Sequence, residues 1–102
     1  MERVTHAEIA ASSKVGIDLD NLRGTYGSDF NFLSIINTDA NSDIEVYLDG
    51  KKVKFVTGNN GVFGFDWEFG LNYNFLELEN TNAGAAIVAN DVKISVGRTG
   101  RD

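Results

Sequence analysis

The chain of 102 residues contains no proline and no cysteine, and only one histidine, one tryptophan and one methionine. Without cysteine, disulfides and thiolate metal sites are excluded, and the redox compartment leaves no mark on the sequence. Without proline, reversals must be made by Gly, Asn and Asp, the residues that tolerate the positive φ of tight turns. "RGTYGSD", "LDGK", "TGNNG" and "NTNAG" supply them, recurring at about the ten-residue spacing of an all-β sandwich or barrel. Positive charge is also scarce: 9 Lys and Arg stand against 15 Asp and Glu, for a net charge of −6. With no basic cluster to offset that balance, no nucleic-acid partner is expected. No apolar run reaches the length of a membrane span, so no membrane partner is expected either. The opening "MERVTHAEIAASSK" lacks the apolar core of a signal peptide, which predicts a product made in the cytosol.

What is present is ordinary globular composition, 42% hydrophobic and 24% charged, in a length that suits one domain with one core. Residues 1–13 read as an N-terminal arm or a short helix, since Thr5 and Glu8 have capping-box spacing. From Val15 the period becomes two: Val15, Ile17 and Leu19 alternate with Gly16, Asp18 and Asp20, which predicts a strand. "FNFLSIIN" predicts another. In "DIEVYLDG", Ile44, Val46 and Leu48 should face inward, with Glu45 and Tyr47 outward. Asp49-Gly50 predicts a type I′ hairpin leading into "KKVKFVT", where Val53 and Phe55 are expected to alternate inward. Further strands are expected around Val62 to Phe65, in "NYNFLELEN", briefly in "AIVA", and in "DVKISVG". The domain is thus assigned to 14–98, with a polar tail over 99–102.

Two stretches align without a gap at an offset of 43: "GSDFNFLSIINTDA" from Gly27 and "GLNYNFLELENTNA" from Gly70. Seven of the fourteen positions are identical, including Phe32/Phe75, Leu33/Leu76, Asn37/Asn80 and Thr38/Thr81, where unrelated segments would share roughly one. "DIEV" from Asp43 then corresponds to "DVKI" from Asp91. Each unit reads as strand, Asn-Thr turn, strand. Aromatic positions slip out of phase with the apolar pair that follows, which suggests a bulge or a strand buried on both faces. Since one hairpin cannot bury its apolar face alone, the expectation is two related hairpins packed together. The fold class predicted is an antiparallel β-sandwich of seven or eight strands, with an internal pseudo-repeat over 27–50 and 70–97.

Candidate chemistry is sparse. Asp39, Asn41 and Asp43 have the opening spacing of a calcium loop, but the sixth position is Ile44 and the twelfth Gly50, where such loops need Gly and a bidentate Glu. The repeat offers a further test, because "NTNAGAA" keeps Asn80 and Thr81 and has no carboxylate. What both copies share is an Asx-type turn, so these three residues are at most an incidental cation site. Asp66 and Glu68 flank Trp67 on one segment, whereas a glycosidase pair must flank the sugar from opposite sides. Glu77 and Glu79 share a strand face, as any solvated carboxylates do. His6 has no Ser or Cys motif to partner. "GNNGVFG" lacks the Lys-Ser/Thr of a phosphate loop. No catalytic residue, cofactor site or metal ligand set is expected, and the chain reads as a non-enzyme. Exposed aromatics can anchor an interface or stack on a sugar. The interface candidates are therefore Trp67, Tyr73, Tyr47 and Tyr26, with Ile9 on the arm.

The succession "FNFLSIINTDA", "DIEVYLDGKKVKFVTGNNGVFGFD", "FLELENT" and "NDVKISVGR", spanning 27–98, resembles small β-sandwich virion proteins of tailed bacteriophages. That resemblance implies a jelly-roll-like fold and a structural role in the virion: a capsid decoration or cement protein that stabilises the shell by protein–protein contacts. Its partners would be the major capsid protein or another virion protein and further copies of itself, commonly as a homotrimer, with the arm suited to strand exchange. The second expectation, of a different class, is a carbohydrate- or receptor-binding module of a phage tail or cell-surface protein.

Overall fold

A computed structural model describes residues 2–21, 32–66 and 74–97. Among these residues eight strands form: β1 (Glu2–Val4), β2 (Lys14–Asp18), β3 (Phe32–Asn37), β4 (Ile44–Leu48), β5 (Lys51–Val56), β6 (Gly61–Asp66), β7 (Phe75–Asn80) and β8 (Val92–Gly97). They make two four-stranded antiparallel sheets, ordered β1-β8-β3-β6 and β2-β7-β4-β5. The strands pair 1 with 8, 2 with 7, 3 with 6 and 4 with 5, as one long double strand rolled up on itself. This is the strand order of a jelly roll.

The period-two pattern is what builds the core. Burial alternates strictly along β3 and β4, so Leu33 and Ile35 meet Ile44, Val46 and Leu48 between the sheets. Leu76, Leu78, Val92, Ile94 and Val96 complete the layer, all at most 1% exposed. Tight turns occur where the composition predicts. Asp49 and Gly50 both have positive φ, 51° and 84°, the type I′ geometry that matches the twist of the flanking strands.

Several expectations are corrected. Residues 2–4 form a strand on β8 in place of a free arm or helix, and Ile9 pairs with Ile87 in an isolated bridge and is fully buried. Ile9 is therefore a core residue and not an interface anchor; Val4 and Ile9 fill the same apolar layer as the main strands. The segment "AIVA" contributes only that bridge at Ile87. Val53 and Phe55 point out of the sandwich, 41% and 47% exposed. The β4–β5 register shifts between Val46 and Tyr47, so a bulge, invisible to simple alternation, separates Lys52 from Lys54. By contrast β3 and β7 run in unbroken register with both neighbours, so the aromatic phase slip is not a bulge. Phe32 and Phe75 simply lie on the outer faces, Phe75 with its ring over Gly16.

The last correction concerns the repeat, whose unit is an arch and not a hairpin. β3 and β4 belong to different sheets, as do β7 and β8, and each copy's first strand pairs with the other copy's second. Asn37↔Val92, Ile35↔Ile94 and Leu33↔Val96 in one sheet match Asn80↔Ile44, Leu78↔Val46 and Leu76↔Leu48 in the other. The cause is the buried asparagine. Asn37 Nδ2 donates to the Ser42 carbonyl at 2.8 Å while its Oδ1 accepts from the Asp39 N–H at 3.2 Å. Asn80 repeats this with the Ala85 carbonyl at 2.8 Å and the Asn82 N–H at 2.9 Å. Each side chain thus occupies backbone groups that a hairpin ladder would use, and turns the chain across to the opposite sheet.

Candidate functional site

The Asn-Thr turns gather at one end of the sandwich, and there the oxygen-rich residues singled out in the sequence are used for structure. Asp39 Oδ1 accepts from the N–H groups of Asn41 at 2.9 Å and Ser42 at 3.0 Å. Asp43 Oδ1 accepts from the Gly58 N–H at 2.7 Å. Asn41 is exposed, and its carbonyl accepts from Asn82 Nδ2 of the second copy at 3.3 Å. Backbone donors therefore take one oxygen of each of the two carboxylates. Among the described residues no group of three His, Cys, Asp or Glu side chains is placed to hold a metal ion. Gly58 packs so closely that a Cβ there would lie 2.6 Å from the carbonyl oxygens of both Asp39 and Ser42.

His6 is buried and also structural. Its Nε2 accepts from the Val92 N–H at 3.1 Å, and Nδ1 lies 2.6 Å from the Ala7 carbonyl. Those partners assign the proton to Nδ1, so both ring nitrogens are occupied. The imidazole latches the segment after β1 onto the start of β8.

On the outer face of β2-β7-β4-β5, Tyr47 is the one aromatic interface candidate whose surroundings are described. Trp67, Tyr73 and Tyr26 lie outside the described residues, as does the tail 99–102. The Tyr47 hydroxyl donates to Glu79 Oε1 at 2.8 Å, and Lys14 Nζ stands 3.9 Å from the ring centroid. The hydrogen bond to Glu79, then burial, then the charges of Glu79, Glu45 and Glu77 together hold the phenol's pKa above its usual value. One face of the ring thus carries an ammonium group, which leaves it poorly placed as a stacking platform for a sugar. The half-buried Glu45 pairs with the exposed Lys52 at 3.7 Å, while its Oε2 is enclosed without a hydrogen-bond partner.

The two outer faces differ in character. Lys14, Asp18, Glu77, Glu79, Glu45 and Lys52 make that of β2-β7-β4-β5 heavily charged. Across β1-β8-β3-β6 the register lines up Arg3, Ser95, Ser34 and Gly64 in one row, Lys93, Ile36 and Val62 in the next, and Gly97, Phe32 and Asp66 in a third. Among the described side chains its charges are Arg3 on the edge strand and Lys93 at the end of a row, and its centre is small or apolar. Val62 is 63% exposed. Sequence reasoning missed this contrast because each strand alone shows only alternation; pairing order is needed to assemble the rows. Comparison with protein-family models, with curated protein sequences and with solved structures gives no match.

Proposed function

We propose that this chain is a structural virion protein of a tailed phage, a capsid decoration protein that stabilises the shell by protein–protein contacts. The observation that carries the reading is the outer face of β1-β8-β3-β6. Uncharged residues, Ser34, Ile36, Phe32, Ser95 and Gly97, occupy its centre, and Arg3 and Lys93 stand at its margin. Interfaces are depleted of charge at the core and polar at the rim, and a jelly roll is an architecture used in viral capsid domains. Fold analogy alone assigns no function; the face adds a surface of suitable chemistry.

The test is sedimentation of the purified chain with expanded, DNA-filled heads of its own phage. Saturable attachment, lost in Ile36→Lys with the fold intact by circular dichroism, is the expected result. No attachment to expanded heads at any ratio would exclude the decoration role.

A further inference from the structure

The sheet β2-β7-β4-β5 has two edges of opposite chemistry. The β5 edge carries Lys51, Lys52 and Lys54, all exposed, in a chain with only nine cationic residues. Among them Val53 and Phe55 stand out of the sandwich, 41% and 47% exposed. The β2 edge ends in Asp18, followed by Asp20, both exposed. Of the cations near it, Lys14 is drawn inward across the sheet to the Tyr47 ring, and Arg3 of β1 lines a cavity with Gly16, Ile17 and Asp18. Beside this edge lies a second exposed aromatic, Phe75, 41% exposed, whose ring covers Gly16.

We propose that a second copy of this chain docks its β2 edge against β5, so that the antiparallel sheet continues from one copy into the next. Direction permits it. β2 runs opposite to β7, β7 to β4 and β4 to β5, so a neighbour's β2 meets β5 antiparallel with no change of orientation. Facing also permits it. Phe55 and Gly16 both point outward, and Val56 and Val15 both sit on the core side. With Phe55 set beside Gly16, its ring meets Phe75, Lys54 comes beside Ile17 and Asp18 at the end of the strand, and Lys51 and Lys52 face the helical turn that begins at Leu19 and carries Asp20. Lysines and a bulge on an edge strand ordinarily keep other strands away. Here they discriminate: they repel a second β5 edge and attract the acidic β2 edge, as selective interfaces combine attraction with repulsion. The contact joins different surfaces of the two copies, so it propagates and closes into a ring when the rotation allows.

The contact does not rest on the capsid reading and is tested on the purified chain alone. Sedimentation velocity over a concentration series at low salt should show reversible association that weakens as sodium chloride is added. K51E/K52E/K54E and D18K/D20K should each associate about tenfold or more weakly. An equimolar mixture of the two should regain association, because each then meets an edge of opposite sign. Far-UV circular dichroism and melting confirm that both variants fold. Phe55→Ser, which leaves every charge in place, should weaken association as well. A wild-type chain that stays monomeric throughout overturns the proposal. So does a folded triple variant that associates like wild type, or a mixture of folded variants that stays monomeric.

Discussion

Thr38 holds the Asp91 carbonyl oxygen twice, through its N–H at 3.2 Å and its hydroxyl at 2.5 Å. The equivalent residue of the second copy, Thr81, holds the Asp43 carbonyl in the same way, at 3.1 and 2.7 Å. Asp43 and Asp91 occupy matching places before β4 and β8, so each copy's turn grips the strand that the other copy sends across the sandwich. The clasp is reciprocal, and it is what the shared Asn-Thr accomplishes.

Replacing the hydroxyl by a methyl removes one hydrogen bond of each clasp. Thr38→Val and Thr81→Val should each lower stability by about 1 kcal/mol. Thr38 should be the costlier, since it is half-buried and Thr81 is exposed to water that can substitute. Urea denaturation of both variants is the check. Equal, negligible shifts in midpoint would show that the clasp contributes nothing.

The buried asparagines should matter more. Asn80 Nδ2 reaches the Ala85 carbonyl at 2.8 Å and the Ile9 carbonyl at 3.1 Å, tying the N-terminal segment to the second arch. Asn80→Leu removes both bonds and the acceptor of the Asn82 N–H, while the Ile9 carbonyl keeps the Ile87 N–H, at a cost of about 1–3 kcal/mol. Hydrogen exchange should accelerate first at the Ile9 and Ile87 amides, which bond each other across the bridge at 2.9 Å. If those amides keep wild-type protection while the variant is measurably destabilised, Asn80 does not hold the segment.

Much of this architecture is written in the sequence and part is not. Alternation around Ile44, Val46 and Leu48 gave their inward facing, and Asp49-Gly50 gave its turn, because both are local. The echo of "NTDANSD" in "NTNAGAA" correctly marked a shared turn. Whether that turn makes a hairpin or an arch depends on Asn37 and Asn80 being buried, which is a tertiary fact. The inward expectation for Phe55 failed for a similar reason, since the bulge at β5 is seen only against β4. Ile9 looked like an arm residue because six polar or small neighbours from Thr5 to Ala11 hide a single buried bridge. The low-charge face required knowing that β8 lies beside β3, a pairing between segments distant in the chain.

Gly16 and Phe75 form a testable pair. A Cβ at Gly16 would strike the tip of the Phe75 ring, lying 2.9 Å from Cε2, so Gly16→Ala must push the ring aside. That displacement should cost about 1–3 kcal/mol. Phe75→Leu removes the obstruction, and in its background Gly16→Ala should be near neutral or favourable, given alanine's lower unfolded-state entropy. A double-mutant cycle by urea denaturation measures the coupling. Strict additivity would place the strain elsewhere.

Tyr47 predicts an alkaline dependence of stability. Loss of its proton removes the O–H that donates to Glu79, and sets a phenolate in a half-buried position near Glu79, Glu45 and Glu77. Folding therefore raises its pKa above the ordinary value of about 10. The unfolded chain gives up this proton first, so the stabilisation is complete below about pH 10 and is lost as pH rises through the higher folded value. Tyr47→Phe cannot show this decline. Urea midpoints compared between about pH 8 and about pH 11 should fall further for wild type than for the variant, the difference cancelling the other tyrosines and the lysines. Absorbance at about 295 nm should show one phenol titrating later in the folded wild type and missing from Tyr47→Phe. Parallel falls in the two proteins would mean that the Glu79 bond has no linkage to folding.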